Sequence, residues 1–236
     1  SDLLAGIYSV IIIDTNGCDT TSTINILENS EIITTFNSNP VLCNGDSTGT
    51  IDLINTNGGI QPYIYNCSNG FSSNTATTIL VNVGQYTVTV ADVNNCIETL
   101  QFTITEPSEL TSSILNTNID CYGNNNGSID FSPFGGVGNF AFMWNNNETS
   151  EDINNLSPGT YIVELTDGNG CMILDSSTIT ESTELIINSS TENSICNGES
   201  LGSINITANG GTGGLSYSWS NGSNSEDLNN IPAGNY

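Results

Sequence analysis

The stretch Gly159-Thr160-Tyr161-Ile162-Val163-Glu164-Leu165-Thr166-Asp167-Gly168-Asn169-Gly170-Cys171 decides the fold. Ile162 to Leu165 has the β-branched enrichment of a strand, and Asp167 to Gly170 supplies the residues that enter a turn at low cost. The Gly-x-Tyr step that opens the stretch occurs four times, at Leu4-Ala5-Gly6-Ile7-Tyr8, Val83-Gly84-Gln85-Tyr86, Pro158-Gly159-Thr160-Tyr161 and Pro232-Ala233-Gly234-Asn235-Tyr236. The tyrosines are separated by 78, 75 and 75 residues, so three periods fit in 236 residues. Recurrence at a fixed spacing of this size is the mark of a repeat architecture.

Other landmarks keep the same phase. Cys43-Asn44-Gly45 leads to Gly49-Thr50-Ile51, Cys121-Tyr122-Gly123 to Gly127-Ser128-Ile129, and Cys196-Asn197-Gly198 to Gly202-Ser203-Ile204. Glycine pairs follow at Gly58-Gly59, Gly135-Gly136 and Gly210-Gly211. Aromatic strands come next: Tyr63 to Cys67, Phe140 to Trp144 and Leu215 to Trp219. Ser9-Val10-Ile11-Ile12 and Thr87-Val88-Thr89-Val90 repeat the strand signal, and Leu100 to Ile104 alternates with period two. No 3.6-residue apolar stripe of helical length is present.

Six or seven short strands per period predict an all-β chain of tandem, small Ig-like β-sandwich repeats of about 75 residues in an extended array. The boundaries read as the C-terminal part of a preceding repeat over 1–30, complete repeats over 31–107 and 108–182, and the N-terminal part of a following repeat over 183–236. The tract opens and closes within a repeat, and no signal peptide is read at Ser1, so the chain reads as a piece of a longer protein. Tyr86, Val88, Val90, Phe102 and Ile104 are expected in the core. A domain of this size buries only about 60–65% of its unfolded surface, so staples are expected.

The charge balance excludes whole classes of function. There are 25 acidic residues and no Lys, Arg or His, for a formal charge of −25. Nucleic-acid binding and attraction to anionic lipid need cations, and apolar runs such as Val10 to Ile13 are far too short for a bilayer. Neither nucleic acid nor membrane insertion is expected. Histidine acid–base pairs, His-bearing zinc sites, Schiff-base lysines and Lys–Asn isopeptide staples are impossible within the chain. The most regularly repeated acids, Asp14, Asp92 and Asp167, fall in turns, where Asp binds its own backbone, and no carboxylate pair recurs in a pocket-like setting. No enzyme is expected, and no catalytic residue is assigned.

Six of the seven cysteines obey the period. Cys18, Cys96 and Cys171 each follow a Gly-x-Tyr tyrosine by ten residues, and Cys43, Cys121 and Cys196 follow 25 residues later. Such phasing without histidine predicts disulfides and an extracellular location. Three connectivities are open: Cys43–Cys96 with Cys121–Cys171 inside repeats; Cys18–Cys43, Cys96–Cys121 and Cys171–Cys196 across the 25-residue step; or one repeat's first loop with the next repeat's turn. Cys67 occupies the place of Trp144 and Trp219, as a small buried substitute or as an intermolecular bridge.

Two binding readings stand beside plain structure. The turn pairs Asp14/Asn16, Asp92/Asn94 and Asp167/Asn169 offer oxygen ligands that suit calcium, but too few to complete its shell, so calcium is the one cofactor considered. Exposed Tyr63, Trp144 and Trp219 would make a carbohydrate-binding array; core packing is the competing assignment for each. Asn126-Gly127-Ser128 and Asn221-Gly222-Ser223 fit a glycosylation sequon, which an Asn-rich chain yields freely.

Taken together, Cys-x-Gly-x-x-x-Gly-x-Ile, Gly-Gly, an aromatic strand ending near Trp, Gly-x-Tyr-x-Val-x-Val/Leu-x-Asp-x-Asn-Gly-Cys and Ile-Thr-Glu-Pro resemble the SprB repeat of Bacteroidota gliding-motility adhesins. Residues 121–181 show the pattern most fully, with Ser182 in place of the proline. Residues 43–107 show it with Cys67 in place of Trp. The resemblance implies a very long cell-surface protein exported by type IX secretion, whose Ig-like repeats serve adhesion. Its partners would be neighbouring repeats, other copies in a filament, and the substratum or a polysaccharide. The family implies no catalytic residue, and the secretion signal and any adhesive tip would lie outside this segment.

Overall fold

A computed structural model describes residues 3–194 and 198–236. Two compact units, 1–108 and 109–236, divide the chain. Every regular element among the described residues is a strand; none is a helix, so none is long and apolar enough to cross a membrane.

The first unit begins with a hairpin of β1 (Gly6–Ile13) and β2 (Asp19–Ile26), paired from Gly6↔Ile26 to Ile13↔Asp19. A complete sandwich follows, built from β3 (Ile33–Asn39), β4 (Gly49–Asn57), β5 (Ile64–Cys67), β6 (Ser72–Ser73), β7 (Thr78–Val81), β8 (Gly84–Ala91) and β9 (Ile97–Ile104). One sheet has the order β3-β4-β7 and the other β6-β5-β8-β9. Their inner faces interleave Ile51, Leu53, Ile79 and Val81 with Tyr65, Cys67, Val88, Val90, Phe102 and Ile104. Period-two alternation dictates this: Val88 and Val90 are fully buried, while Thr87 and Thr89 point away. Four of the five expected core residues are buried, and Tyr86 packs against the core from its rim.

The second unit repeats the plan with β10 (Thr111–Thr117), β11 (Gly127–Phe134), β12 (Ala141–Trp144), β13 (Ile153–Leu156), β14 (Gly159–Thr166) and β15 (Met172–Ile179). The sheets are β10-β11-β13 and β12-β14-β15. Trp144 is 1% exposed and stands edge-on to Phe131, at the centre of a core with Ile129, Ile153, Val163, Leu165 and Ile179. Its indole N–H donates to the Ser150 carbonyl at 2.9 Å, which satisfies the one polar atom of the ring. Cys67 fills the equivalent place as a buried thiol. Phe71 packs against that core and makes up part of the missing volume; its counterpart beside Trp144 is Glu148.

The remaining residues carry β16 (Ile186–Glu192), β17 (Gly202–Asn209) and β18 (Leu228–Ile231) in one sheet, matching β10-β11-β13. Among the described residues no counterpart of β14 and β15 is formed beside this sheet. A cavity of about 490 Å³ opens instead beside Ile187, Ile204, Ile206, Tyr217 and Trp219. The β1–β2 hairpin is the complementary case. Val10 and Ile12 are 46% and 61% exposed, whereas Val88 and Val90, at the same places in β8, are fully buried.

Because Trp144 is enclosed and its strand neighbour Met143 is exposed, Trp144→Ala is expected to lower the unfolding free energy of its sandwich by about 3–5 kcal/mol. Met143→Ala should stay within about 0.5 kcal/mol. Urea titration followed by far-ultraviolet circular dichroism measures both; equal effects would place the indole outside the core.

Candidate functional site

The phased residues gather at the two ends of each sandwich. At the leading end, where the chain comes in, the Asp of the turn is the organising group. Asp167 Oδ1 accepts from the backbone N–H groups of Asn169 and Cys171, both at 2.9 Å, and Oδ2 accepts from Val137 N–H at 2.8 Å. Asp92 does the same with Asn94, Cys96 and Ile60, each at 2.9 Å. One carboxylate thus closes its own hairpin and clamps the loop of the glycine pair. That loop needs glycine: Gly58 and Gly59 have φ of 81° and 57°, and a Cβ on Gly58 would collide with the Glu31 carbonyl. Ile32 and Leu110, the first core residues of the two repeats, lie against the second glycine of each pair, Gly59 and Gly136.

These contacts set the acidity of the two carboxyls. At Asp92 the Ile60 N–H has the largest effect; burial opposes it, and Cys96 and Asn94 add to it, leaving the group below the usual carboxylate value. At Asp167 burial pushes upward most strongly, but the N–H groups of Val137, Cys171, Asn169 and Gly170 together outweigh it, and the net shift is again downward. Asp14 makes only the hairpin half of the motif, with Asn16 and Cys18 N–H at 2.8 and 2.9 Å.

At the trailing end, where the chain leaves, a glutamate plays the corresponding part. Glu106 accepts from Gly45 N–H at 2.7 Å and Glu181 from Gly123 N–H at 2.8 Å, so the Ile-Thr-Glu segment holds the Cys-x-Gly loop. Val41 and Ile119 N–H donate to Thr105 and Thr180 carbonyls, both at 2.9 Å. The Gly-x-Tyr step is a tyrosine corner. Each hydroxyl donates to the carbonyl four residues upstream: Tyr8 to Leu4, Tyr86 to Asn82, Tyr161 to Ser157 and Tyr236 to Pro232, over 2.9–3.2 Å.

The residues singled out from sequence fall as follows. The oxygens of Asp92 and Asp167 are engaged by backbone donors, and Asn94 and Asn169 enter these turns through backbone N–H groups. The described residues bring together no group of three or more His, Cys, Asp or Glu side chains able to hold a metal. Trp144 corrects the exposed-aromatic reading, since an indole enclosed by Phe131, Val163 and Leu165 presents no face to a sugar. Tyr63 and Trp219 are half-buried, and both are hydrogen-bonded, to the Gly58 and Ser225 carbonyls.

Among the cysteines, Cys43 and Cys171 are disulfide-bonded. Cys18, Cys96 and Cys121 are exposed thiols, and Cys67 is a buried one. The pairings Cys43–Cys96, Cys121–Cys171, Cys18–Cys43 and Cys96–Cys121 are therefore not made. Cys196, and with it the expected Cys171–Cys196 bridge, lies outside the described residues. Sequence reading missed the Glu106 and Glu181 clamps and the second function of the turn aspartates. Their signal was present in the phase of Ile-Thr-Glu and of Gly-Gly, but phase alone does not say which groups touch.

The SprB repeat profile matches residues 35–70, 116–149 and 188–224. In these three stretches the chain is similar to the SprB repeat. Each match runs from the first strand of a repeat through its aromatic segment. SprB repeats occur in cell-surface proteins. Among solved structures the chain is similar to one described as "Structural basis for Dscam isoform specificity", at 12% identity and a TM-score of 0.30, over 70% of this chain and 51% of that one. It is also similar to the amphioxus IgVJ-C2 molecule, at 13% identity and a TM-score of 0.26, over 65% of this chain and 98% of that one. The chain spans about half the length of the Dscam structure's chain. A search of curated proteins finds no match.

The lowered pKa values of Asp92 and Asp167 fix a sign for acid unfolding. A carboxyl whose folded-state value lies below its unfolded value of about 3.9 contributes stability that is fully present above that value and lost as pH falls through the folded one. Asp167→Asn is therefore expected to lower stability at pH 7 and to flatten its decline between about pH 5 and pH 2 relative to the unaltered chain. Urea titrations at several pH values measure the slope; parallel curves would sink the assignment.

Proposed function

We propose that this segment is a non-catalytic spacer in a long cell-surface protein, with its SprB repeats supplying reach and its polar, anionic exterior keeping neighbouring repeats hydrated and apart. The observation that carries the reading is the fate of the phased residues. In the complete repeats the tyrosines, glycine pairs, aspartates and glutamates that recur every 75 residues or so are spent on closing the sandwich. Repetition of a self-contained module is what a spacer requires.

The wider assignment follows the family. Adhesion to a substratum or polysaccharide, gliding motility, type IX export and assembly with other copies are the roles such a segment would serve, at the outer surface of the cell. Burial of Trp144 and the half-buried positions of Tyr63 and Trp219 weigh against a sugar-binding array in which every repeat presents the same aromatic. The 25 carboxylates, about eight per period, have no cation in the chain to offset them. They add repulsion where surfaces approach within a screening length of about 8 Å at physiological salt.

Small-angle scattering of the chain tests the spacer reading. A compact globule of this length would have a radius of gyration of about 18 Å. Tandem sandwiches held apart should give a value at least half as large again, rising slightly as salt is lowered. A value near the compact figure would overturn the proposal.

A further inference from the structure

The repeat 31–107 is longer than the one that follows it, and the difference is localised. From Cys43 to Cys121 is 78 residues, and from Cys121 to Cys196 is 75. One extra residue lies before the glycine pair, in a step of 15 from Cys43 to Gly58 against 14 from Cys121 to Gly135 and from Cys196 to Gly210. The other two follow the aromatic strand, in a step of 19 from Cys67 to Tyr86 against 17 from Trp144 to Tyr161 and from Trp219 to Tyr236. The first insertion is a bulge in β4. Thr35 pairs with Asn55 and Phe36 with Leu53, which leaves Ile54 without a residue opposite it. β10 with β11 and β16 with β17 pair without such a break. The second insertion belongs to the segment that forms β6 against Tyr65 and Asn66, giving that sheet a fourth strand where β12-β14-β15 has three.

Both insertions border one hollow. It has a volume of about 270 Å³ and is lined by Ile54 and Asn55 of the bulged strand, Gln61 and Tyr63 ahead of β5, and Asn74 and Ala76 after β6. Tyr63 stands edge-on to Tyr65, with ring centroids 6.5 Å apart. Both hydroxyls are engaged, donating to the Gly58 carbonyl and to Thr56 Oγ1, so the two rings are held in place. Asn74 sits in a turn pinned by Ser73 Oγ, which donates to the Thr75 carbonyl at 2.9 Å and accepts from the Thr75 N–H at 3.1 Å. The side-chain amides of Asn55, Gln61 and Asn74, by contrast, have no hydrogen-bond partner among the described residues. No carboxylate lines the hollow, in a chain that has 25. The repeat 108–182 lacks this set: Gly138, Asn139 and Phe140 occupy the places of Gln61, Pro62 and Tyr63.

These properties select a ligand. A cation would find no counter-charge in the hollow, and an anion would meet a chain of net charge −25 without Lys or Arg. A wholly apolar molecule would strip water from three amides and leave them unpaired. What remains is a neutral molecule with an apolar face and several hydroxyls. We propose that the hollow binds one ring of a neutral polysaccharide, with its C–H face against Tyr63 and its hydroxyls on the amides of Asn55, Gln61 and Asn74. A planar amide carries a donor and an acceptor side by side, so each can serve two adjacent hydroxyls. Because the rings and the turn are already fixed, little has to be ordered on binding. Bulges re-aim side chains, and this one occurs in the repeat that has the hollow. The site is single, unlike an array that repeats one aromatic, and it adds a ligand to the spacer reading without resting on it.

Titration of the isotope-labelled 236-residue chain, followed by heteronuclear NMR, tests the site. The probes are maltohexaose, cellohexaose and mannohexaose, with hexagalacturonate as the charged control. At least one neutral hexaose should give saturable shifts at the side-chain amides of Asn55, Gln61 and Asn74, with a dissociation constant on the order of 1 mM. Hexagalacturonate should give none. Gln61 and Asn74 are exposed, so the double variant Gln61→Gly with Asn74→Ala should keep its urea midpoint. Its affinity should fall about tenfold, as expected for the loss of two neutral hydrogen-bonding groups. Met143→Ala, in the other complete repeat, should bind like the unaltered chain. The proposal is overturned if none of the three neutral hexaoses gives saturable shifts at these amides, if hexagalacturonate binds equally well, or if the double variant binds undiminished. A compact scattering envelope would refute the spacer reading and leave this titration unaffected, so the two fail separately.

Discussion

A chain without a single cation must satisfy every carboxylate it draws away from water with dipoles, and the backbone is the chief source of them. In this protein the turn and loop N–H groups that the strand ladders leave unpaired are the donors. Asp92 and Asp167 each take three, Glu106 and Glu181 one each, and Asp152 and Asp227 take those of Phe131 and Ile206. Each contact removes two costs at once, a desolvated charge and an orphaned amide. Bonds of this kind are charge-assisted, and a short Asp side chain loses little rotamer freedom in making them. The sandwich ends, where a small core gives least support, depend on this exchange.

The same constraint explains why the repeats look as they do in sequence. The turn Asp must lie at one end of a strand so that Oδ1 reaches two amides in its own hairpin while Oδ2 reaches across to the glycine-pair loop. That loop must be glycine because its backbone passes too close to the Glu31 carbonyl for a side chain. At the opposite end the Glu of Ile-Thr-Glu has the extra methylene needed to reach a loop one strand away. A 75-residue spacing between like residues is thus the spacing between like clamps.

Much of the fold was legible in advance because it rests on local rules. Alternation placed Val88, Val90, Phe102 and Ile104 in the core, and Gly-x-Tyr marked the start of each hairpin. What was not legible is what crosses between elements. Trp144 could be read as core or as surface from sequence, since an aromatic at the end of a strand suits either. The decision belongs to Val163 and Leu165 on a strand 15 or more residues away. Pairing of the cysteines was open for the same reason. Spacing along the chain says nothing about which end of a sandwich a residue occupies.

Charge acts over a short length scale in these sandwiches. Screening at physiological salt confines electrostatics to about 8 Å, a third of the roughly 26 Å spanned by an eight-residue strand. Carboxylates at opposite ends of one sandwich are therefore independent. Repulsion between like charges also weakens as salt rises. The clamps at the two ends of a sandwich, made by Asp92 and Glu106 or by Asp167 and Glu181, therefore hold separately, and each is satisfied by its own backbone donors.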